Sequence, residues 1–112
     1  MTGMDSATVM TAIAQESIVG RFAPSPTGPL HFGSLVAALG SYLLAKQAGG
    51  RWLLRIEDLD PPRVVPGAAD EMLRLLDQLG FEWDDKVVYQ SQRFGRYQQV
   101  LQLLAERQLV FE

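Results

Sequence analysis

Residues 21–34 read RFAPSPTGPLHFGS, and this stretch decides the fold. It overlaps residues 17–23 (SIVGRFA), a short apolar run that predicts a β-strand. Prolines and a glycine make residues 24–30 a loop. The mostly apolar residues 33–48 are long enough for a helix, and their all-round apolarity predicts burial on every side. Strand, loop and helix in this order are typical of the first unit of a parallel α/β sheet.

The rest of the chain continues this alternation. We predict strands at residues 52–56 and 87–89. We predict helices at residues 67–79 and in a later segment capped by Ser91. Apolar residues at helical spacing mark the buried faces of the two later helices: Met72, Leu75, Leu76 and Leu79, then Phe94, Tyr97, Leu101 and Leu104. The last residues, 109–112, are interpreted as the start of a further strand. The order predicts a Rossmann-like α/β fold that binds ligands where its parallel strands end.

The composition excludes several classes of protein. The 112 residues carry 10 basic and 13 acidic side chains, and the net charge of −3 provides no basic footprint for nucleic acid. Without cysteine these residues form no disulfide or thiolate metal site, and the single histidine, His31, cannot bind zinc alone. No apolar run reaches the roughly 20 residues of a membrane span. Residues 1–16 mix small and polar residues, so we interpret them as a flexible leader. Because they lack the Lys and Arg of a signal peptide, we expect a cytoplasmic protein.

The start of the first predicted helix has the features of a phosphate site. A helix N-terminus offers free backbone N–H groups and a positive dipole end. His31 can donate a hydrogen bond to a phosphate oxygen. Glycines that allow close approach and hydroxyl donors surround it: Gly28, Gly33, Ser25, Thr27 and Ser34. The alternative is a Pro–Gly loop in which His31 only hydrogen-bonds the start of the helix.

A second polar loop, residues 55–63 (RIEDLDPPR), follows the second predicted strand. Glu57 could pair with the ammonium group of an amino acid, and Arg21 with a carboxylate, a polarity that fits a small dicarboxylic amino acid. Two alternatives stay open. Arg21 and Glu57 could form an ion pair with each other, or the loop could be a solvated acidic turn, which we favour for Asp60 and Arg63.

These motifs resemble a known family. HFGS at 31–34 resembles the histidine–glycine signature of class I aminoacyl-tRNA synthetases, and RFAPSPTGPLHFG resembles their glutamyl-tRNA synthetase branch. IEDLDPPR, HFGSLVAALGSYL and YQSQR at 89–93 look most like the glutamyl-Q tRNA(Asp) synthetase family. The resemblance runs from about Val19 to Glu112.

The resemblance implies an enzyme that activates L-glutamate with ATP and Mg²⁺ and joins it to the queuosine base of tRNA(Asp). It implies that residues 17–112 are the N-terminal part of a Rossmann-like catalytic domain. The implied glutamate contacts are Arg21, Phe22, Ala23, Pro24, Ser25 and Glu57. The implied ATP contacts are Pro24, Ser25, Thr27, Gly28, His31, Gly33 and Ser34, with His31 and Gly33 as the catalytic pair at the phosphates.

The chain also departs from that family. The cysteine-rich zinc site, a later tyrosine and arginine that contact glutamate, and a lysine-rich ATP loop are not among these residues. We therefore expect a fragment that is inactive alone and that is marginally stable or associates, with Tyr42, Trp52 and Leu53 as candidates for exposure. Two other functions stay open: part of a discriminating glutamyl-tRNA synthetase, and a non-catalytic glutamate- or nucleotide-binding module.

Overall fold

The computed structural model describes Ser6 and residues 18–111, so the predicted leader lies outside the described residues apart from Ser6. Within that part the strands are β1 (Val19–Phe22), β2 (Arg51–Ile56) and β3 (Val88–Tyr89), and the helices are α1 (Phe32–Gln47), α2 (Ala68–Gln78) and α3 (Phe94–Glu106). Single 3-10 turns lie at Pro61–Arg63 and Gln90–Gln92. The predicted alternation of strands and helices is confirmed.

The sheet is parallel throughout. Across the described residues its three strands lie in the order β1-β2-β3, with Arg21 opposite Leu53 and Arg55 opposite Val88. All three strands therefore end at one edge, where parallel sheets bind ligands. With helices flanking this sheet, the predicted Rossmann-like α/β fold is confirmed.

Helix α1 lies directly on β1 because the residues that face each other are small. A Cβ on Gly20 would stand 3.1 Å from the Cβ of Ala45 and 3.2 Å from the carbonyl oxygen of Ser41. The buried residues of α1 are Ala38 and Ala45. Its large apolar side chains are exposed instead: Phe32, Val36, Leu39, Leu43 and Leu44. The prediction that α1 is buried on every side is wrong, because an apolar surface without periodicity does not show which side meets the sheet.

Aromatic rings form the centre of the core. Trp52 of β2 is fully buried, with its ring stacked on Phe22 at 6.3 Å and on Phe81 at 5.4 Å between centroids. Tyr42 of α1 meets it edge-on at 5.0 Å. The expectation that Trp52 is exposed is therefore wrong, while Tyr42 and Leu53 are half-buried. Burial of Trp52 follows from its place in the middle strand, under α1.

Each of the three helices in the described part ends in a turn that needs a positive φ. The residue past each helix cap is Gly49 at φ 68°, Gly80 at φ 91° and Gln108 at φ 58°. In α1 the N–H of Gly50 then donates to the carbonyl of Ala45 at 2.8 Å, which closes the last turn. Gly49 and Gly80 directly follow the predicted helices at 33–48 and 67–79, whereas Gln108 takes the same conformation against the steric preference of an L-residue.

Helix α3 meets the opposite face of the sheet from α1. Its Tyr97 hydroxyl accepts a hydrogen bond of 3.0 Å from Nη2 of Arg55, and Arg55 alternates along β2 with the buried Leu54 and Ile56. Among the described helices, none combines the length and the apolarity that a membrane crossing needs.

Two expectations for the last part of the chain are wrong. Helix α3 has no buried residue, and Phe94 and Leu101 of its predicted buried face are more than half exposed. Of the face predicted from Phe94, Tyr97, Leu101 and Leu104, only Tyr97 and Leu104 are half-buried. Residues 109–111 form no strand: after the turn at Gln108 the N–H of Leu109 donates to the carbonyl of Leu104 at 2.9 Å, and the backbone that follows is irregular.

Candidate functional site

The loops that follow β1 and β2 are joined at the carboxyl edge of the sheet. The backbone N–H of Glu57 donates to the carbonyl of Pro24 at 2.9 Å, and that of Val65 donates to the carbonyl of Pro26, also at 2.9 Å. Pro26 is fully buried beneath them. The two stretches that the sequence singled out therefore form one surface.

The N-terminus of α1 stands at the end of the first of these loops. His31 is its N-cap: Nδ1 accepts a hydrogen bond of 3.2 Å from the N–H of Ser34, and Nε2 lies 3.1 Å from Oγ of Ser34. Phe32 and Gly33 have no intrahelical acceptor for their N–H groups, so these donors are available to a ligand. The structure shows His31 in the capping role that the sequence left as an alternative, and its contact with phosphate stays a prediction.

Glycine at position 33 allows this capping geometry. A Cβ on Gly33 would stand 3.2 Å from Cε1 and Nδ1 of His31, so the imidazole folds over the place where a side chain would be. The ring remains exposed to solvent. His31 and Gly33, predicted as a catalytic pair, are therefore in direct contact.

The rest of the first loop is open. Ser25 and Thr27 are exposed, and the N–H of Thr27 donates to the carbonyl of Ser25 at 2.9 Å. Gly28 has φ 153°, and a Cβ there would meet no atom within 4 Å. The predicted nucleotide-binding loop thus presents hydroxyls and bare backbone to solvent, which suits close approach of a ligand.

Four of the predicted glutamate contacts differ in what they can offer. The side chain of Phe22 is in the core, so only its backbone can contact a ligand. Ala23 and Pro24 are half-buried. Arg21 is exposed on β1 and makes no ion pair within residues 18–111.

Glu57 faces a different arginine from the one considered above. Its Oε1 lies 3.9 Å from Nε of Arg55, and its side chain is 38% exposed. The alternative of an Arg21–Glu57 ion pair is therefore wrong. Both Arg21 and Glu57 keep polar atoms available, the cationic ones on β1 and the anionic ones directly after β2.

A cavity of about 310 Å³ adjoins Arg21 on the face of the sheet that α3 meets. Three arginines line it, Arg21, Arg55 and Arg93, together with apolar residues of the sheet. Nε of Arg55 is buried without a hydrogen-bond partner in the described part of the chain. Sequence reasoning missed Arg93 and the adjacent Tyr97, although YQSQR at 89–93 was a signal for the first of them.

The second loop is tied to the third strand by Asp58. Its Oδ1 accepts from the N–H of Ser91 at 2.8 Å and its Oδ2 from the hydroxyl of Ser91 at 2.6 Å. Partial burial alone would raise the pKa of Asp58, but these hydrogen bonds outweigh it and hold the pKa below its ordinary value. The prediction that Ser91 caps α3 is therefore wrong. That helix starts at Phe94, with Arg93 as its cap residue.

The last part of the second loop is the solvated turn that we favoured. Nε of Arg63 lies 3.2 Å from Oδ2 of Asp60, and both side chains are exposed. Such a pair contributes little to stability. Over the described residues, no group of three or more His, Cys, Asp or Glu side chains is placed to hold a metal ion.

Comparison with known proteins gives one family. Residues 17–111 match the family model described as tRNA synthetases class I (E and Q), catalytic domain. The chain is 64% identical over 107 residues to a glutamyl-Q tRNA(Asp) synthetase of Shewanella oneidensis, covering 94% of this chain and 36% of that protein. It is 64% identical over 92 residues to the protein of the same name in Dechloromonas aromatica, covering 82% of this chain and 31% of that one.

A solved structure agrees with this result. The glutamate tRNA ligase of Elizabethkingia meningosepticum, in complex with its amino acid, superposes with a TM-score of 0.75 at 38% identity, over 81% of this chain and 20% of that one. The motif-based resemblance is confirmed by both comparisons. The chain spans about a third of the length of the curated relatives it matches.

Proposed function

The chain belongs to the class I family of tRNA synthetases for glutamate and glutamine, and from this premise we propose that residues 17–112 are the N-terminal part of a catalytic domain that binds L-glutamate and ATP. The domain would serve a ligase that activates glutamate and transfers it to the queuosine base of tRNA(Asp). The names of the Shewanella and Dechloromonas relatives support this choice of substrates.

The observation that carries the proposal is the hydrogen bond from the Glu57 N–H to the Pro24 carbonyl, 2.9 Å long. It places the carboxylate loop beside the loop that leads into the N-terminus of α1. An amino acid bound at these two loops would then lie next to a triphosphate bound at the N-terminus of α1. That is the requirement for joining a carboxylate to a phosphorus atom.

In this proposal the ends of the amino acid are bound by opposite charges. The guanidinium of Arg21 pairs with a carboxylate of glutamate, and the carboxylate of Glu57 pairs with its ammonium group. Glu57 exchanges its 3.9 Å contact with Arg55 for the substrate. Residues 22–25 line the same binding region, Phe22 through its backbone.

The phosphates of ATP, bound as its Mg²⁺ complex, take the donors at the start of α1. The N–H groups of Phe32 and Gly33 point at them, and the imidazole of His31 turns from Ser34 toward the α-phosphate. Hydroxyls and bare backbone from the first loop complete the nucleotide contacts: Ser25, Thr27, Gly28 and Ser34. An oxygen of the glutamate α-carboxylate attacks the α-phosphorus, pyrophosphate leaves, and glutamyl-adenylate forms without a covalent enzyme intermediate.

The glutamyl-Q reading is favoured over a discriminating glutamyl-tRNA synthetase. Identity is 64% to the first kind of protein and 38% to the glutamate tRNA ligase of known structure. Enzymes of the first kind activate glutamate without tRNA, whereas the second kind generally requires its tRNA. With ATP and tRNA as substrates, we place the protein in the cytoplasm.

A chimera tests the proposal. Residues 18–111 replace the matching segment of the Shewanella oneidensis relative, and glutamate-dependent exchange of pyrophosphate into ATP is measured without tRNA, beside the unaltered relative. We expect exchange by both proteins. Exchange only after addition of tRNA would assign the segment to the glutamyl-tRNA synthetases, and a folded chimera with no exchange under either condition would contradict the proposal.

A further inference from the structure

The carboxylate of Asp58 has an unusual set of partners for a loop aspartate. Both of its oxygens accept from one residue, Ser91, at 2.8 Å from the backbone N–H and 2.6 Å from the hydroxyl. It makes no ion pair within residues 18–111, whereas Glu57 and Asp60 on the same loop each face an arginine. Hydrogen bonds to an ionised acceptor are the stronger kind, so this contact is a firm link between two loops.

Glu57 is held between two such links. Its own N–H donates to the carbonyl of Pro24, in the loop after β1, at 2.9 Å. The next residue, Asp58, is tied to Ser91, in the turn directly after β3. Residues 57–58 therefore connect the carboxyl ends of all three described strands, and the Glu57 backbone is tied on one side to the first loop and on the other, through Asp58, to the turn after β3.

We infer that Asp58 is a positioning residue for the amino-acid substrate: its bonds to Ser91 hold the Glu57 carboxylate where it meets the substrate ammonium group. This inference rests on the proposed function for the identity of the substrate. Asp58 itself is turned toward Ser91 and touches no ligand in this scheme. The contribution is geometric, since a small displacement of a charged contact weakens binding strongly.

The test uses the ¹⁵N-labelled chain and the variants Asp58→Asn and Asp60→Asn. The second is the matched control, because it removes the same charge two residues further along the same loop, in an exposed pair with Arg63. Amide hydrogen exchange is followed at Glu57 and at Val65, whose N–H makes the parallel bond to Pro26. We expect Asp58→Asn to lower protection at Glu57 about tenfold and to leave Val65 unchanged, and Asp60→Asn to change neither.

The second readout separates positioning from a general loss of structure. Affinities are measured by calorimetry for a non-hydrolysable glutamyl-adenylate analogue and for ATP. We expect Asp58→Asn to weaken the analogue about tenfold and ATP less than twofold. Ser91→Ala, which keeps the backbone bond to Asp58, should give a smaller loss, and Ser91→Thr, which restores a hydroxyl, should recover the wild-type affinity.

The outcomes distinguish the inference from the function on which it rests. If the unaltered chain binds the analogue and Asp58→Asn binds it equally well, the inference is wrong and the function stands. If neither the unaltered chain nor its chimera with the Shewanella oneidensis relative binds the analogue, the proposed function fails, and the exchange rates at Glu57 still decide whether the link positions that residue. If only the chimera binds it, the same variants are compared in the chimera. If Asp58→Asn lowers the affinities for the analogue and for ATP equally, Asp58 has only a structural role. The same follows if it lowers hydrogen-exchange protection at Val65 as much as at Glu57. Should Asp58→Asn not fold, Ser91→Ala and Ser91→Thr decide the question.

Discussion

The backbone N–H of Glu57 donates to the carbonyl oxygen of Pro24 across 2.9 Å, from the end of β2 to the loop after β1. A carboxylate that could meet an ammonium group is thereby fixed beside the loop that leads to the N-terminus of α1. The bond uses backbone atoms only, so its geometry depends on the parallel register of the two strands.

Gly33→Ala tests the contact between the helix start and His31. The new Cβ would stand 3.2 Å from the imidazole, which must then shift by a few tenths of an ångström against its bond to the Ser34 N–H, and we expect ATP to bind about tenfold more weakly. Gly40→Ala is the control on the same helix, because its Cβ meets no atom within 4 Å. It should stabilise the chain by about 0.5–1 kcal/mol and leave ATP affinity unchanged. Calorimetry with ATP checks both variants, and equal affinities would contradict a phosphate role for this turn.

Asp84 predicts a pH dependence of stability. It accepts a hydrogen bond of 2.8 Å from the Trp52 N–H and pairs with Lys46 at 3.1 Å; the first contact and then the second lower its pKa below 3.8. Because the folded pKa is the lower one, this stabilisation is complete above the ordinary pKa and is lost as the pH falls through the folded value. The difference in unfolding free energy between wild type and Asp84→Asn should therefore shrink below pH 3.8. Urea titrations across that range measure it, and a difference independent of pH would refute the assignment.

Gln108→Gly should stabilise the chain. Gln108 adopts φ 58° past the end of α3, a conformation that costs an L-residue about 1 kcal/mol and glycine almost nothing. Gln98→Gly, within the exposed part of the same helix, should destabilise by about 1 kcal/mol. Urea unfolding gives both values, and a Gln108→Gly variant that is destabilised like Gln98→Gly would show that the turn is not strained.

The exposed side of α1 predicts association or marginal stability. Val36, Leu39 and Leu43 are each about half exposed and lie along one side of the helix. Apolar stripes of this kind favour self-association in water. We expect the mass of the wild-type chain, measured by sedimentation, to rise with concentration. The double variant Leu39→Lys, Leu43→Glu should show a smaller rise. A wild-type chain that stays monomeric and melts cooperatively above about 60 °C would refute this expectation.

The sequence was sufficient to predict the alternation of strands and helices and the two loops of the site, which follow β1 and β2. Proline, glycine and apolar periodicity mark where strands and helices end: Gly49 and Gly80 directly follow the predicted helices at 33–48 and 67–79. Parallel order then implies a shared sheet edge, and the Glu57–Pro24 bond is found there.

Other features depend on tertiary contacts that no local pattern records. The burial of Trp52 follows from small residues on α1 that let the helix approach the sheet. Ser91 has the residue type of a helix cap, but its hydroxyl binds Asp58, which is 33 positions away. The half-buried position of Tyr97 depends on Arg55 reaching it from β2. In each case a partner distant in sequence overrides the local preference.

The most direct test of the central claim is an amide ¹H–¹⁵N spectrum of this chain, titrated with the non-hydrolysable glutamyl-adenylate analogue and, in parallel, with its aspartyl counterpart. We predict a dispersed spectrum in which the cross-peaks of residues 21–34 and of Glu57 shift with the glutamyl compound and shift far less with the aspartyl one. A dispersed spectrum in which those cross-peaks do not move, or move equally with both compounds, would contradict the claim that these two loops form a glutamate-activating site.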